Sequence, residues 1–114
     1  MNKTFTQKEI WDYLCDNPLG VTVHIGDLED MNNQDYIFFD YLTDNPIPAD
    51  DGYTDSLIGV QFSVVTKGFD NRRELVDYIK QQFVCNISFD HDSEHEYYVA
   101  YMRSTILLRR EPII

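Results

Sequence analysis

The strongest constraint on the fold is an alternating segment in the middle of the chain, "LIGVQFSVVTKG". Apolar residues occupy every second position from Ile58 to Val64, and Gln61 and Ser63 lie between them. Because successive side chains of a β-strand point to opposite faces, this pattern predicts a strand with one apolar face. A sheet built around such a strand needs a second layer that covers this face.

Two segments with helical periodicity can supply that layer. In the first, Thr6 and Glu9 have the spacing of a capping box. In the second, "FDNRRELVDYIKQQFV", Asn71 and Glu74 have the same spacing. The apolar stripe of the second segment is formed by Leu75, Val76, Ile79 and Phe83. We therefore predict two helices that pack their apolar stripes on the sheet.

Four further segments predict strands, and together with the helices they define a fold class. They are "VTVHIGD", "YIFFDYLT", "CNISFD" and "EYYVAYMRSTILLRRE". The element order is therefore α-β-β-β-α-β-β, and short connections favour antiparallel pairing. A chain of 114 residues suits one core. We predict a single α+β domain over residues 1–114, with a mostly antiparallel sheet of about five strands and two helices packed on it.

The charge balance narrows the possible partners. Nine Lys and Arg residues against twenty Asp and Glu residues give a net charge of −11. Such a field repels duplex DNA and anionic membranes, so we expect neither sequence-specific binding of nucleic acid nor binding to a membrane. The polar N-terminus, "MNKTFTQKEIWDY", lacks the apolar stretch of a secretory signal, which predicts synthesis in the cytoplasm.

An acidic, proline-containing segment, Asp44 to Ser56, is predicted as a long loop because prolines disfavour ladder pairing. Its acids, Asp44, Asp50, Asp51 and Asp55, make it a candidate interaction loop. Two interpretations remain open: a contact arm that orders on a partner, and a solvated connector.

Three arginines near the C-terminus are candidate contacts between copies of the chain. They are Arg103, Arg109 and Arg110, in an otherwise acidic sequence. A positive strand end on one copy can meet acidic loops on the next. Pairing of these arginines with carboxylates in the same subunit is the alternative.

The segment "SFDHDSEHEYYVAY" raises the question of a metal site. His91 and His95 stand among several acids, but they lie between two predicted strands. A hairpin turn spreads its side chains into water, whereas a metal needs converging ligands. We interpret the segment as a solvated turn and expect no metal and no cofactor. The sequence also contains none of the common catalytic motifs, so we expect no catalytic residues and no enzyme.

The order and residue composition of these segments resemble those of the tail-completion proteins of long-tailed bacteriophages, the tail terminator and tail-to-head joining family. The resemblance extends from about Phe5 to Arg110 and rests on "DYIFFDYLTDNPIPADD", on "GVQFSVVTKGFDNRRELVDYIKQQF" and on the closing aromatic strand pair. Its closest part is Ile58 to Phe83. Members of this family have an α+β fold around an antiparallel sheet and are not enzymes.

The resemblance implies a structural protein of the virion that is assembled in the host cytoplasm. Such a protein forms a ring, often a hexamer, that caps the tail tube and joins the tail to the head. Its partners are other copies of itself, the tail tube protein and the head connector protein. The resemblance supplies no catalytic residue, and another head-tail completion or minor tail protein remains a neighbouring role.

Two other hypotheses remain at this point. The charge of −11 also fits an acidic mimic of DNA that inhibits a host nucleic-acid enzyme. The histidines and acids of the turn fit a small metal-dependent protein, which predicts a stoichiometric metal.

Overall fold

A computed structural model describes residues 4–25, 35–48, 54–94 and 96–109 of the chain. In this part of the chain there are two helices and six strands. Neither helix is both long and apolar enough to cross a membrane. The elements in chain order are β1 (Thr4–Phe5), α1 (Gln7–Cys15), β2 (Thr22–Ile25), β3 (Tyr36–Pro48), β4 (Thr54–Thr66), α2 (Phe69–Lys80), β5 (Asn86–Asp92) and β6 (Tyr97–Arg109).

The six strands form one sheet around β4, which lies between β3 and β6 and runs antiparallel to both. The predicted α+β class with two helices is confirmed. The prediction of a mostly antiparallel sheet is wrong, because β2 pairs with β3 in parallel and β1 pairs with β6 in parallel. Residues 26–35 separate β2 from β3, and a connection longer than a tight turn allows the second strand to run in the same direction.

The additional strand β1 changes the predicted order to β-α-β-β-β-α-β-β. It has only two residues, Thr4 and Phe5, which pair with Leu107 and Leu108 of β6. Two residues carry no periodicity, so the sequence pattern contains no signal for this strand.

The core lies between the helices and one side of the sheet, which we call the helix face. The alternating residues Ile58, Val60, Phe62 and Val64 of β4 are all fully buried there, as the sequence pattern predicts. Leu75, Val76 and Ile79 of the predicted stripe are buried in α2, whereas Phe83 is buried in the segment after the helix, which ends at Lys80. Aromatic rings connect the layers, because Phe62 contacts Phe39 at 5.3 Å and Phe83 at 5.1 Å between ring centroids.

The two helices begin differently. The predicted capping box of α1 is confirmed, since Thr6 Oγ1 accepts from the Glu9 amide and the Thr6 amide donates to Glu9 Oε1. The predicted cap of α2 is wrong, because Gly68 is the N-cap residue and supplies no side-chain bond. Asn71 instead donates to Asp35 Oδ2, and Asp35 Oδ1 accepts from the Lys67 amide. This long-range carboxylate ties the start of α2 to the start of β3.

Tyr13 of α1 and Tyr78 of α2 join the two helices by a reciprocal pair of hydrogen bonds. Each hydroxyl donates to the other residue's carbonyl oxygen, at 2.5 and 2.6 Å. Their rings stack at 4.3 Å between centroids. Burial raises the pKa of Tyr13 to about 12, and the neighbouring Tyr78 adds to the shift.

The predicted long loop from Asp44 to Ser56 is largely strand. β3 continues to Pro48 and β4 begins at Thr54, so the two strands extend as a hairpin. The prolines are tolerated because β2 pairs with β3 only from Tyr36 to Phe39, which leaves the outer edge of β3 beyond that point without a described partner. A proline on such an edge lacks only an amide that no neighbouring strand would accept.

Candidate interaction surfaces

The first candidate surface is the hairpin arm, which we define as residues 42–48 of β3 and 54–59 of β4. It begins at a β-bulge, where the pairing of β3 with β4 shifts between Tyr41 and Thr43. Thr43 Oγ1 accepts a hydrogen bond from the Gly59 amide at 3.1 Å. A Cβ atom on Gly59 would lie 2.6 Å from the same oxygen, so this contact requires glycine. The bulge bends the strand and sets the direction of the arm.

The acids predicted as one interaction loop fall on different faces of the arm. Asp44 is exposed and lies opposite Ile58, a residue of the helix face. Asp55 is half-buried and belongs to the opposite side of the sheet, which we call the open face. Asp50 and Asp51 lie outside the described residues. The arm therefore presents acid on both of its faces instead of on one patch.

The predicted contact arginines of β6 share the open face. Arg103 Nε donates to Gln61 Oε1 of the neighbouring strand at 3.0 Å. Arg109 lies opposite Asp55 in the register of β4 and β6. Within the described part of the chain, neither arginine forms an ion pair with a carboxylate, and both are exposed. Arg110 lies outside the described residues. Both interpretations of these arginines, contact between copies and pairing within the subunit, remain predictions.

An aromatic patch covers the other end of the open face. Its members come from β3, β4 and β6, and the helices pack on the opposite side of the sheet. The patch consists of Tyr36, Phe38, Val65, Tyr97, Val99 and Tyr101. Burial raises the pKa of the Tyr36 hydroxyl. The sequence predicts "YIFFDYLT" as a strand, but no pattern within it brings these residues together, because the pairing of β3 and β6 with β4 places them on one face.

A second aromatic cluster surrounds Arg72 beside β5. The guanidinium carbon lies 4.7 Å from the ring centre of Phe89, 5.1 Å from that of Phe69 and 5.5 Å from that of Tyr98. Arg72 Nη1 also donates to the carbonyl oxygens of Asp90 and Val99. The cation–π contacts and hydrogen bonds fasten the start of α2 to the β5–β6 hairpin.

The histidine segment forms the hairpin that was predicted. β5 ends at Asp92 and β6 begins at Tyr97, so the turn lies between two antiparallel strands. His91 stacks on Tyr98 at 4.5 Å between ring centroids. His95 lies outside the described residues. Among the residues that the structure describes, no three His, Cys, Asp or Glu side chains are grouped to hold a metal ion.

Comparison with known proteins gives a likeness of fold. No family model matches the sequence. No curated protein matches it either. Among solved structures, the chain is similar to one in "Virion of native gene transfer agent (GTA) particle", with a TM-score of 0.56 and 10% sequence identity. The match covers 86% of this chain and 91% of that chain. The α+β fold described above is therefore also found in a chain of a virion particle.

Proposed function

We propose that this chain is a structural virion protein of a phage-like particle and has no catalytic role. The observation that carries the proposal is the likeness to a chain of a gene transfer agent virion over 86% of the length. The match covers most of both chains, so the likeness extends over most of the fold. A match to an isolated supersecondary motif would not reach this extent.

Within that class we propose the role of a tail terminator, a ring that caps the tail tube and joins the tail to the head. The family resemblance of the sequence supports this role, and two surfaces fit it. The hairpin arm projects acidic residues, Asp44 and Asp55, and the open face carries exposed Arg103 and Arg109. Basic and acidic surfaces on one subunit favour contacts between successive copies, or with the tube and connector proteins.

The charge of the chain suits a ring through which DNA passes. A net charge of −11 produces a field that on average repels phosphate, and a negative lining of the ring would suit the passage of DNA. A DNA strand would therefore move past the ring without being held. We place this protein in the virion, after assembly in the host cytoplasm.

The test is to mix the purified protein with purified tail tubes of the same particle and to image the tube ends by negative stain. Extra density at one end of the tubes is the expected result. The matched variant replaces both described arm acids, Asp44→Asn with Asp55→Asn. We expect weaker capping from this variant, while Asp77→Asn with Glu74→Gln on the exposed side of α2 serves as the control with equal loss of charge.

The alternative function, an inhibitor that imitates DNA, predicts the opposite result in the capping experiment. Tubes would remain bare, and the protein would bind a purified host nucleic-acid enzyme with an affinity that falls steeply with salt. Bare tubes together with such binding would overturn the proposed structural role.

A further inference from the structure

In the part of the sheet that contains β2 and β5, each of the two outermost strands has one side that pairs with no described strand. Across this part the strand order is β5-β6-β4-β3-β2, as the pairing of β5 with β6 and of β2 with β3 shows. In the described part of the chain, β5 pairs only with β6 and β2 pairs only with β3. Each of these strands therefore has one side whose amide and carbonyl groups no described strand uses.

Asp90 and Asp92 place charge at the C-terminal end of the β5 edge, where the His91 amide donates to Asp90 Oδ1 and the Asp90 carbonyl oxygen accepts from Arg72 Nη1. From Asn86 to Phe89, the β5 edge lacks the features that usually prevent pairing between sheets. Its seven residues, "NISFDHD", contain no proline and no lysine, and no register shift interrupts their pairing with β6. The exposed edge of β3, by contrast, carries the bulge at Tyr41–Thr43 and two prolines, Pro46 and Pro48. Soluble proteins use such bulges and prolines to prevent unwanted pairing of an exposed edge strand. The β5 edge therefore carries fewer obstacles to pairing than the exposed edge of β3, which makes β5 the better candidate for a partner strand.

The open edges of β5 and β2 match in direction and in side-chain arrangement. β2 runs parallel to β3, β3 and β6 are both antiparallel to β4, and β5 is antiparallel to β6. A β5 edge placed against a β2 edge is therefore an antiparallel pair. Both edges also expose an apolar side chain on the helix face: Phe89 is 60% exposed and Ile25 is 43% exposed.

We propose that the β5 edge of one copy pairs with the β2 edge of the next copy, so that one sheet continues from subunit to subunit. The contact is heterologous, because two different edges of the subunit meet. A repeated heterologous contact forms a ring when the rotation between copies closes, and an open filament when it does not. The inference rests on the ring-forming role proposed above and specifies which strands form the ring. Pairing buries Phe89 against the side of the neighbouring β2.

Disulfide cross-linking tests the pairing directly. Within one subunit β5 and β2 are separated by four strand spacings, about 19 Å, whereas a disulfide needs Cα atoms within about 7 Å. The background is Cys15→Ser with Cys85→Ser, which removes both native thiols. Ile25→Cys is combined with Phe89→Cys or, to allow for either register, with Ile87→Cys on the same face of β5. Mild oxidation is expected to give a ladder of linked copies that ends at the ring.

The control pair is Leu42→Cys with Phe89→Cys. Leu42 is 49% exposed at the bulge of the blocked β3 edge, so its thiol is as accessible as the one at Ile25. This pair is expected to give no ladder. Equal ladders from both pairs would indicate random collisions and would overturn the proposal.

A charge on the edge gives a second test that does not depend on register. Phe89→Lys places an inward lysine on the edge, and Phe69→Lys makes the same exchange on the first residue of α2. Phe69 is 54% exposed and, like Phe89, contacts Arg72, so both variants lose a similar ring contact. Analytical ultracentrifugation is expected to show at least tenfold weaker assembly for Phe89→Lys than for Phe69→Lys. Equal assembly of the two would contradict the pairing.

The outcomes separate this inference from the proposed function. Rings of defined mass with no ladder from either β5 cysteine would overturn the edge pairing and leave the ring intact. A monomer at every concentration, with tubes left uncapped, would overturn both. A ladder that appears only with an added virion protein, and that links this chain to that protein, would assign the β5 edge to a different partner.

Discussion

The part of the sheet under the helices and the hairpin arm are formed by the same two strands, but they differ in burial and in the regularity of strand pairing. β3 and β4 have thirteen residues each and run through both regions. Under the helices, Ile37, Phe39, Phe62 and Val64 are almost completely buried and the pairing is regular. In the arm the pairing shifts, prolines enter β3, and Leu42 and Leu57 are exposed. The arm still contributes Ile58 to the core, so it is the exposed positions of the arm that are available for contacts.

The comparison also extends to hydrogen bonding. Under the helices, the buried Thr66 hydroxyl donates to the Gly68 carbonyl oxygen. In the arm, Ser56 is fully buried, and its hydroxyl has no hydrogen-bond partner among the residues that the structure describes. An unpaired buried hydroxyl lowers stability. Ser56 is therefore one position of the arm that lowers the stability of the fold.

The largest effect is expected from Phe62→Ala. Phe62 is fully buried and its ring lies within 5.3 Å of both Phe39 and Phe83, so truncation leaves a cavity at the junction of sheet and α2. The free energy of unfolding should fall by about 3–5 kcal/mol. Urea denaturation measures the loss. Leu57→Ala in the arm is the control and should change it by less than about 1 kcal/mol.

A smaller but more local effect is expected from Gly59→Ala. The new Cβ meets Thr43 Oγ1 at 2.6 Å, so the bulge must open or the threonine must rotate away and lose its bond to the Gly59 amide. We expect a loss of about 1–3 kcal/mol. In a Thr43→Ala background the same exchange should be much less unfavourable, and a double-mutant cycle measures that coupling. Equal losses in both backgrounds would show that Thr43 is not the cause.

The third effect depends on pH. The pKa of Tyr13 is raised to about 12 in the folded protein, above its value of 10.0 in the unfolded chain. Both states are protonated below pH 10, so the hydroxyl's contribution is complete there. Between pH 10 and 12 the unfolded state loses the proton first, and stability falls as pH rises.

The Tyr13→Phe variant tests this origin. It should lose about 1 kcal/mol at neutral pH, because the bond to the Tyr78 carbonyl oxygen disappears. It should also show a shallower decline above pH 10 in thermal unfolding. Tyr101→Phe on the open face is the control, and an unchanged decline in Tyr13→Phe would assign the pH dependence to other groups.

The smallest effect has the opposite sign. Ser56→Ala removes the unpaired hydroxyl from the arm and should increase the free energy of unfolding by up to about 1 kcal/mol. Thr66→Ala, which removes a paired hydroxyl, should decrease it by a similar amount. Chemical denaturation compares the two. A loss in both variants would mean that the arm is as well satisfied as the body.

Local patterns predicted the parts of the fold whose cause is local. The alternation of β4, the stripe of α2 and the capping box at Thr6 depend on residues a few positions apart, and all three are confirmed. The cap at Asn71 failed because Asp35, far away in sequence, accepts its amide hydrogen. Likewise, the parallel pairing of β2 with β3 depends on the path between them and has no signature within either strand.

The candidate surfaces were predicted in part for the same reason. Composition identified Asp44, Asp55, Arg103 and Arg109 as residues suited to contacts, and all four lie in the arm or on the open face. Composition could not show that Asp44 and Asp55 point to opposite faces, because the bulge at Tyr41–Thr43 changes the alternation. The aromatic patch and the open β5 edge arise from strand order, which depends on long-range pairing.

The central claim is that this chain is a ring-forming structural protein, and native mass spectrometry at high protein concentration tests it most directly. The account predicts one closed assembly of defined copy number, with a hexamer expected from the family resemblance, and negative-stain images of rings in the same sample. A monomer at every concentration, both alone and in the presence of tail tubes, would contradict it.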